Sequence, residues 1–123
     1  MRGLHHLALR VADLERSAAF YGGVLGLDEL ARHVDPDDAA RLRAIWFALG
    51  DAVLMLERAL RGGGDGEGSG HLLALAVDDL GAWEARLAGA GVAIDDRSAA
   101  TLYVRDPDGH RVGLSVHVFA PRS

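Results

Sequence analysis

Hydrophobic and polar residues alternate at the start of the chain and then change period. Leu7, Leu9 and Val11 alternate with His6, Ala8 and Arg10, the pattern of a strand with one buried face. Beyond Asp13, the residues Leu14, Ala18, Tyr21 and Leu25 recur at helical spacing. Asp13 stands where a carboxylate accepts the free N–H groups of a first helical turn, and Gly22, Gly23 and Gly26 close the segment. The same order returns over residues 71–92: a strand Leu72–Val77, then Asp78-Asp79, a helix Asp79–Ala90, and a glycine. A repeat at about half the chain length signals two copies of one supersecondary unit.

Between the copies, residues 28–34 predict a second strand that Asp35-Pro36-Asp37-Asp38 breaks. Arg43–Leu49 and Ala52–Glu57 flank Gly50-Asp51, a two-residue loop suited to a tight hairpin. That loop sets Leu49 opposite Ala52, Phe47 opposite Leu54 and Trp46 opposite Met55. One face then carries Ile45, Phe47, Leu49, Leu54 and Leu56, to pack on the helix. The other carries Ala44, Trp46, Ala48, Val53, Met55 and Glu57; a slip of one residue would exchange the two faces. Later strands are expected at Val92–Asp95, 100–105 and 110–118, the last two joined by Asp106-Pro107-Asp108-Gly109. Each half reads strand, helix, three strands, so the fold class is α+β. The boundaries expected are a first module over 1–59, a glycine-rich linker over 60–70 and a second module over 71–123.

Composition narrows the function classes. The 123 residues suffice for one compact domain or two halves sharing a core. A net charge of −5, with no basic run, argues against nucleic acid. The chain has no cysteine, hence no disulfide framework and no thiolate chemistry, which suits a reducing cytoplasm. Apolar runs fall short of a membrane span, and His5, His6 and Arg10 interrupt what a signal peptide would keep apolar. The RGGGDGEGSG stretch lacks the Lys-Ser/Thr or dinucleotide pattern of a phosphate loop.

Taken in order, His6 with Leu9, Val11 and Asp13-Leu14, then Phe20-Tyr21 and Leu25-Gly26, then Arg105-Asp106-Pro107-Asp108-Gly109 resemble the vicinal oxygen chelate superfamily of glyoxalases, bleomycin-resistance proteins and extradiol dioxygenases. The resemblance covers nearly the whole chain. It implies two βαβββ modules pairing into an eight-stranded cup around a small ligand, and a homodimer. In the metal-dependent members up to four side chains hold a divalent ion, one from an early and one from a late strand of each module. Those positions fall here on His6, Met55, Leu72 and Gly113. A thioether, an isobutyl group and a hydrogen offer no hard donors, so no metal cofactor is expected; were an ion present, His6 and Glu57 would be its ligands.

The resemblance with a depleted metal site points to a protein that binds or sequesters an apolar or aromatic small molecule. The expected ligand contacts are His6, Arg10, Trp46, Met55, Glu57, Leu72, Leu102 and Gly113. Arg10 would meet an anionic group and the Trp46 indole would stack on a ring. For each apolar member the plain alternative is core packing; for Glu57 it is a solvated strand end. Of the other histidines, His5 and His71 are one residue off the ligand positions, and His33, His110 and His117 are expected at the surface. The alternative function is a metal-dependent lyase, isomerase or dioxygenase of the same superfamily, using His6 with donors outside the aligned positions.

Overall fold

A computed structural model of the chain describes residues 1–61 and 70–119; most of the expected linker, residues 62–69, lies outside that set. The chain divides into two compact units, Met1–Gly63 and Gly64–Ser123.

In the first unit β1 (His6–Arg10) leads to α1 (Leu14–Ala18), and a π-helical turn continues it over Ala19–Val24. Then follow β2 (Glu29–Asp35), β3 (Asp38–Leu49) and β4 (Ala52–Glu57). The sheet order is β1-β4-β3-β2, with β1 parallel to β4 and the other pairs antiparallel. Asp13 caps α1 as expected, its carboxylate accepting from Arg16 N at 3.1 Å. The wide turn arises where Leu25 N donates to Phe20 O, five residues back, at 2.9 Å. Leu14, Ala18, Tyr21 and Leu25 are all buried, as are Ile45, Phe47, Leu54 and Leu56 on the sheet. α1 packs against β3 and β4. Gly22 permits that approach, since a Cβ there would stand 3.0 Å from Phe47 Cε1.

The β3–β4 register matches the expectation pair for pair, including Phe47 with Leu54 and Trp46 with Met55. Gly50 takes φ +57° in the connecting turn, a conformation only glycine adopts without strain. One expectation changes. Asp35-Pro36-Asp37-Asp38 is the turn of a second hairpin rather than a break: Asp35 pairs with Asp38, and its carboxylate accepts from Asp37 N at 3.0 Å. Pairing with β2 therefore carries β3 back to Asp38, five residues before the expected start at Arg43.

The second unit repeats the order with β5 (Leu72–Ala76), α2 (Leu80–Gly89), β6 (Asp96–Arg97), β7 (Thr101–Arg105) and β8 (Arg111–Ser115). Its sheet order is β5-β8-β7-β6. Asp79 caps α2, accepting from Ala82 N at 3.2 Å, and Leu87 is fully buried. The strand expected over Val92–Asp95 is replaced by the two-residue β6. In the Asp106–Gly109 turn the buried Asp106 carboxylate accepts from Asp108 N at 2.9 Å and His110 N at 2.8 Å. That turn sets Arg105 opposite Arg111 and all later pairs of the β7–β8 ladder. The architecture is α+β, two βαβββ modules.

Candidate functional site

Strand alternation sorts the first sheet into two faces. Leu54 and Leu56 look toward α1; Val53, Met55 and Glu57 look the other way. Parallel pairing sets His6 beside Val53, Ala8 beside Met55 and Arg10 beside Glu57, while β3 adds Ala48, Trp46 and Ala44 beside the same three residues. Five of the expected contacts, His6, Arg10, Trp46, Met55 and Glu57, therefore share this far face.

Its polar groups are engaged with one another. Trp46 Nε1 donates to Glu57 Oε2 at 2.8 Å, so Glu57 is an indole partner rather than a solvated strand end. His33, opposite Ala44 on β2, brings its ring to 4.3 Å from the Trp46 ring, tilted by 55°. Its Nε2 is buried without a hydrogen-bond partner. His33 was expected at the surface, and the structure instead packs it on the candidate site. The ladder is regular from Ala31 to His33 and sets His33 on the face of Trp46, but register shifts between His33 and Val34 and between Val34 and Asp35 break any count from the Asp35–Asp38 turn.

At the start of β1, His5 Nδ1 lies 2.8 Å from His6 Nδ1. One ring donates and the other accepts, as their tautomers dictate. His5 precedes the strand, so the opposite-face rule does not hold it away from His6. Arg10 Nη1 donates to the Leu60 carbonyl at 3.4 Å.

In the second unit Leu72, Ala74 and Ala76 share a face with Arg111, Gly113 and Ser115 and with Thr101, Tyr103 and Arg105. The absent side chain of Gly113 leaves a space bounded by Thr101, Ala74 and Leu72, where a Cβ would meet neighbours at 3.3–3.6 Å. Leu102 departs from its expected role. It pairs with Leu114 on the opposite face and is 1% exposed, among Val104, Val112 and Leu114; it is core. Tyr103, directly opposite Gly113, takes the position expected of it. Counting back from the Asp106–Gly109 turn pairs 105 with 111 and hence 103 with 113, so the signal was present in the sequence.

A cavity of about 370 Å³ lies beside this face, lined by Gly70, His71, Leu72, Asp95, Asp96, Arg105 and Arg111. Its charges offset: Arg105 contacts Asp95 at 3.3 Å and Arg111 contacts Asp96 at 3.4 Å. The Arg111 guanidinium also lies 4.1 Å from the Tyr103 ring centre. His71, ahead of β5, lines the cavity together with Leu72.

Comparison with known proteins supplies the context. The chain is 31% identical to the lactoylglutathione lyase of Haemophilus influenzae over 118 residues, 87% of each chain. It is similar to TnmS3, an antibiotic binding protein from Streptomyces sp. CB03234, with 27% identity, 94% and 95% coverage and a TM-score of 0.75. It shares its fold with a mutant of the fosfomycin resistance protein FosX of Listeria monocytogenes, at 20% identity, 97% and 95% coverage and a TM-score of 0.78. That protein was crystallised with Mn(II) and 1S,2S-dihydroxypropylphosphonic acid.

The expectation of no metal cofactor is corrected: the FosX mutant that shares this fold was crystallised with Mn(II). Counting side chains at four aligned positions was too narrow a test, since a hard ion also takes water and ligand oxygens. Among the described residues, however, no three His, Asp or Glu side chains are grouped to hold an ion. The side chains present do not fit a ready-made metal cage. Residues 3–114 match the Glyoxalase/Bleomycin resistance protein/Dioxygenase superfamily, and the chain belongs to that family.

Proposed function

We propose that this chain takes up a small organic molecule with a flat apolar part against the far face of the first sheet, and acts on it as a lyase, isomerase or dioxygenase of its superfamily. One observation carries the reading: the Trp46 indole is held at its nitrogen by Glu57, 2.8 Å away, and flanked by His33 at 4.3 Å. Around it stand the small or apolar Ala8, Ala48, Val53 and Met55. A ring oriented in advance loses little freedom when a ligand stacks on it. His6 and Arg10 add an imidazole and a cation at the margin, the latter suited to an anionic substituent. Conversion rather than storage is supported by the 31% identity to a lactoylglutathione lyase. His6 and Glu57 are the donors of this face that the family's ion would draw on first.

A second reading is sequestration without turnover. The likeness to an antibiotic binding protein supports it, as do the donor-poor Met55, Leu72 and Gly113. We place the protein in the cytoplasm, consistent with the absence of cysteine, and as a homodimer, which light scattering would register as twice 13.0 kDa.

Elemental analysis and Mn(II) titration of the purified protein separate the readings. Uptake of one equivalent, lost in His6→Ala, supports the enzyme. Aromatic ligands that bind without any ion uptake support sequestration. Binding of aromatic compounds that is unchanged in Trp46→Ala overturns the placement of the ligand on this face under either reading.

A further inference from the structure

The contact between Glu57 and Trp46 does more than orient a ring. A carboxylate accepting from an indole N–H forms a charge-assisted hydrogen bond. The negative charge polarises that N–H bond and shifts electron density into the ring. The face of an aromatic ring already carries the negative lobe of its quadrupole, and the polarisation deepens it.

No charged side chain faces the indole directly across the strands. Trp46 is half-buried, and its neighbours across the strands, Met55 on β4 and Ala31 on β2, carry no charge; Arg10, the cation beside Glu57 on β1, donates through Nη1 to the Leu60 carbonyl at 3.4 Å. His33 leans on the same indole, so the ring is held at its nitrogen and against its plane.

From this geometry we infer that the site selects ligands by electronic character, favouring a planar ring depleted of electrons by withdrawing substituents over an electron-rich ring of the same shape. Glu57 is the specificity-determining residue, acting through Trp46. The inference rests on the proposed placement of the ligand against Trp46 and adds to it the class of ring.

The test uses a matched pair of bicyclic probes of similar size, 6-nitroquinoline and 6-methoxyquinoline. Trp83→Phe removes the other tryptophan, so the single indole N–H resonance in a proton–nitrogen NMR spectrum reports Trp46. Titrating each probe should shift that resonance saturably, with the nitro compound binding about threefold or more tighter. Glu57→Gln keeps a neutral acceptor for the indole N–H and removes the charge. In that variant the ratio of the two affinities should fall to about one, both probes still shifting the Trp46 resonance. Loss of binding of both probes in Glu57→Gln would show a merely structural role and overturn the inference. So would equal affinities in the parent, or a preference that survives Glu57→Gln; in those two cases the placement of the ligand against Trp46 stands. If neither probe moves the Trp46 resonance, that placement falls and the inference with it.

Discussion

Two residues of this chain change meaning between one dimension and three. Leu102 looks like a pocket residue when apolar positions near the second module's turn are gathered together, yet its partner is Leu114 and its surroundings are core. Leu102→Ala should therefore cost about 2–5 kcal/mol of stability, read as a lowered urea midpoint with the denaturant slope unchanged, and leave ligand affinity alone. A weakened ligand with unaltered stability would return Leu102 to the site. Gly22 is a second residue whose role is decided by space. Gly22→Ala puts a methyl group 3.0 Å from Phe47 Cε1, and the Phe47 ring, 1% exposed under the π-helical turn, has little room to yield. A loss of about 1–3 kcal/mol is expected, measurable by thermal unfolding. Alanine's better helix propensity offsets less than about 1 kcal/mol of it.

At the scale of elements, legibility followed the regularity of hydrogen bonding. The β3–β4 hairpin was readable to the residue because a two-residue turn at Gly50-Asp51 leaves one register, and the apolar set Phe47, Leu54, Leu56 agrees with it. α1 was readable because Asp13 stands just ahead of periodic apolar residues; Asp79, expected as the first helical residue, is instead the cap of α2. β2 was the hard case. Its pairing shifts between Glu29 and Ala31, between His33 and Val34, and between Val34 and Asp35, and each shift breaks the two-residue alternation from which a facing is inferred. Counted back from the Asp35–Asp38 turn, His33 would face Ala40; the two shifts carry it to Ala44 instead, so its contact with Trp46, a defining part of the candidate site, could not be read in advance.

The same strand makes β2 acid-sensitive. Hydrogen bonding to Arg32 holds the Glu29 carboxyl below its ordinary range, and Arg32, also bonded to Glu15, is pushed up. The backbone N–H of Asp37, with help from Arg58, does the same for Asp35. Carboxyls depressed in the folded state contribute stability that is complete above their unfolded values, about pH 4, and is lost as pH falls through the lower folded values. In a Trp83→Phe background, the unfolding midpoint followed by Trp46 fluorescence should drop below about pH 4. The drop should be shallower in Glu29→Gln/Asp35→Asn; an equally steep fall in that variant would place the acid sensitivity elsewhere. Glu29 is exposed and Asp35 half-buried, so salt should blunt mainly the Glu29 share of the difference.

For the whole molecule, the ligand and the ion become thermodynamic questions that need no knowledge of the reaction. The net charge of −5 and the lack of a basic run give no electrostatic footprint for nucleic acid, and no helix among the described residues is long and apolar enough to cross a membrane. Anything that binds the folded chain and not the unfolded one raises its unfolding free energy, by about 2.7 kcal/mol at a hundredfold excess over Kd. For a chain of this length that corresponds to roughly 10 °C in Tm, well within the reach of a thermal-shift screen of flat aromatic compounds. The screen acquires mechanistic content when run twice, with Mn(II) and with a chelator. A site that binds ligand through an ion gives a shift with both added that exceeds the sum of the separate shifts, because each binder then raises the affinity of the other by the same factor. A site in which burial against Trp46 supplies the affinity gives the same ligand shift in chelator, and Trp46→Ala abolishes it. The proposed conversion predicts the coupled result, and sequestration predicts the uncoupled one. His6→Ala should then remove the Mn(II) shift and the excess, and leave the shift from ligand alone in place. Strictly additive shifts in the parent protein would show that ion and ligand do not meet, and would move the chain from the converting branch of its family to the binding one.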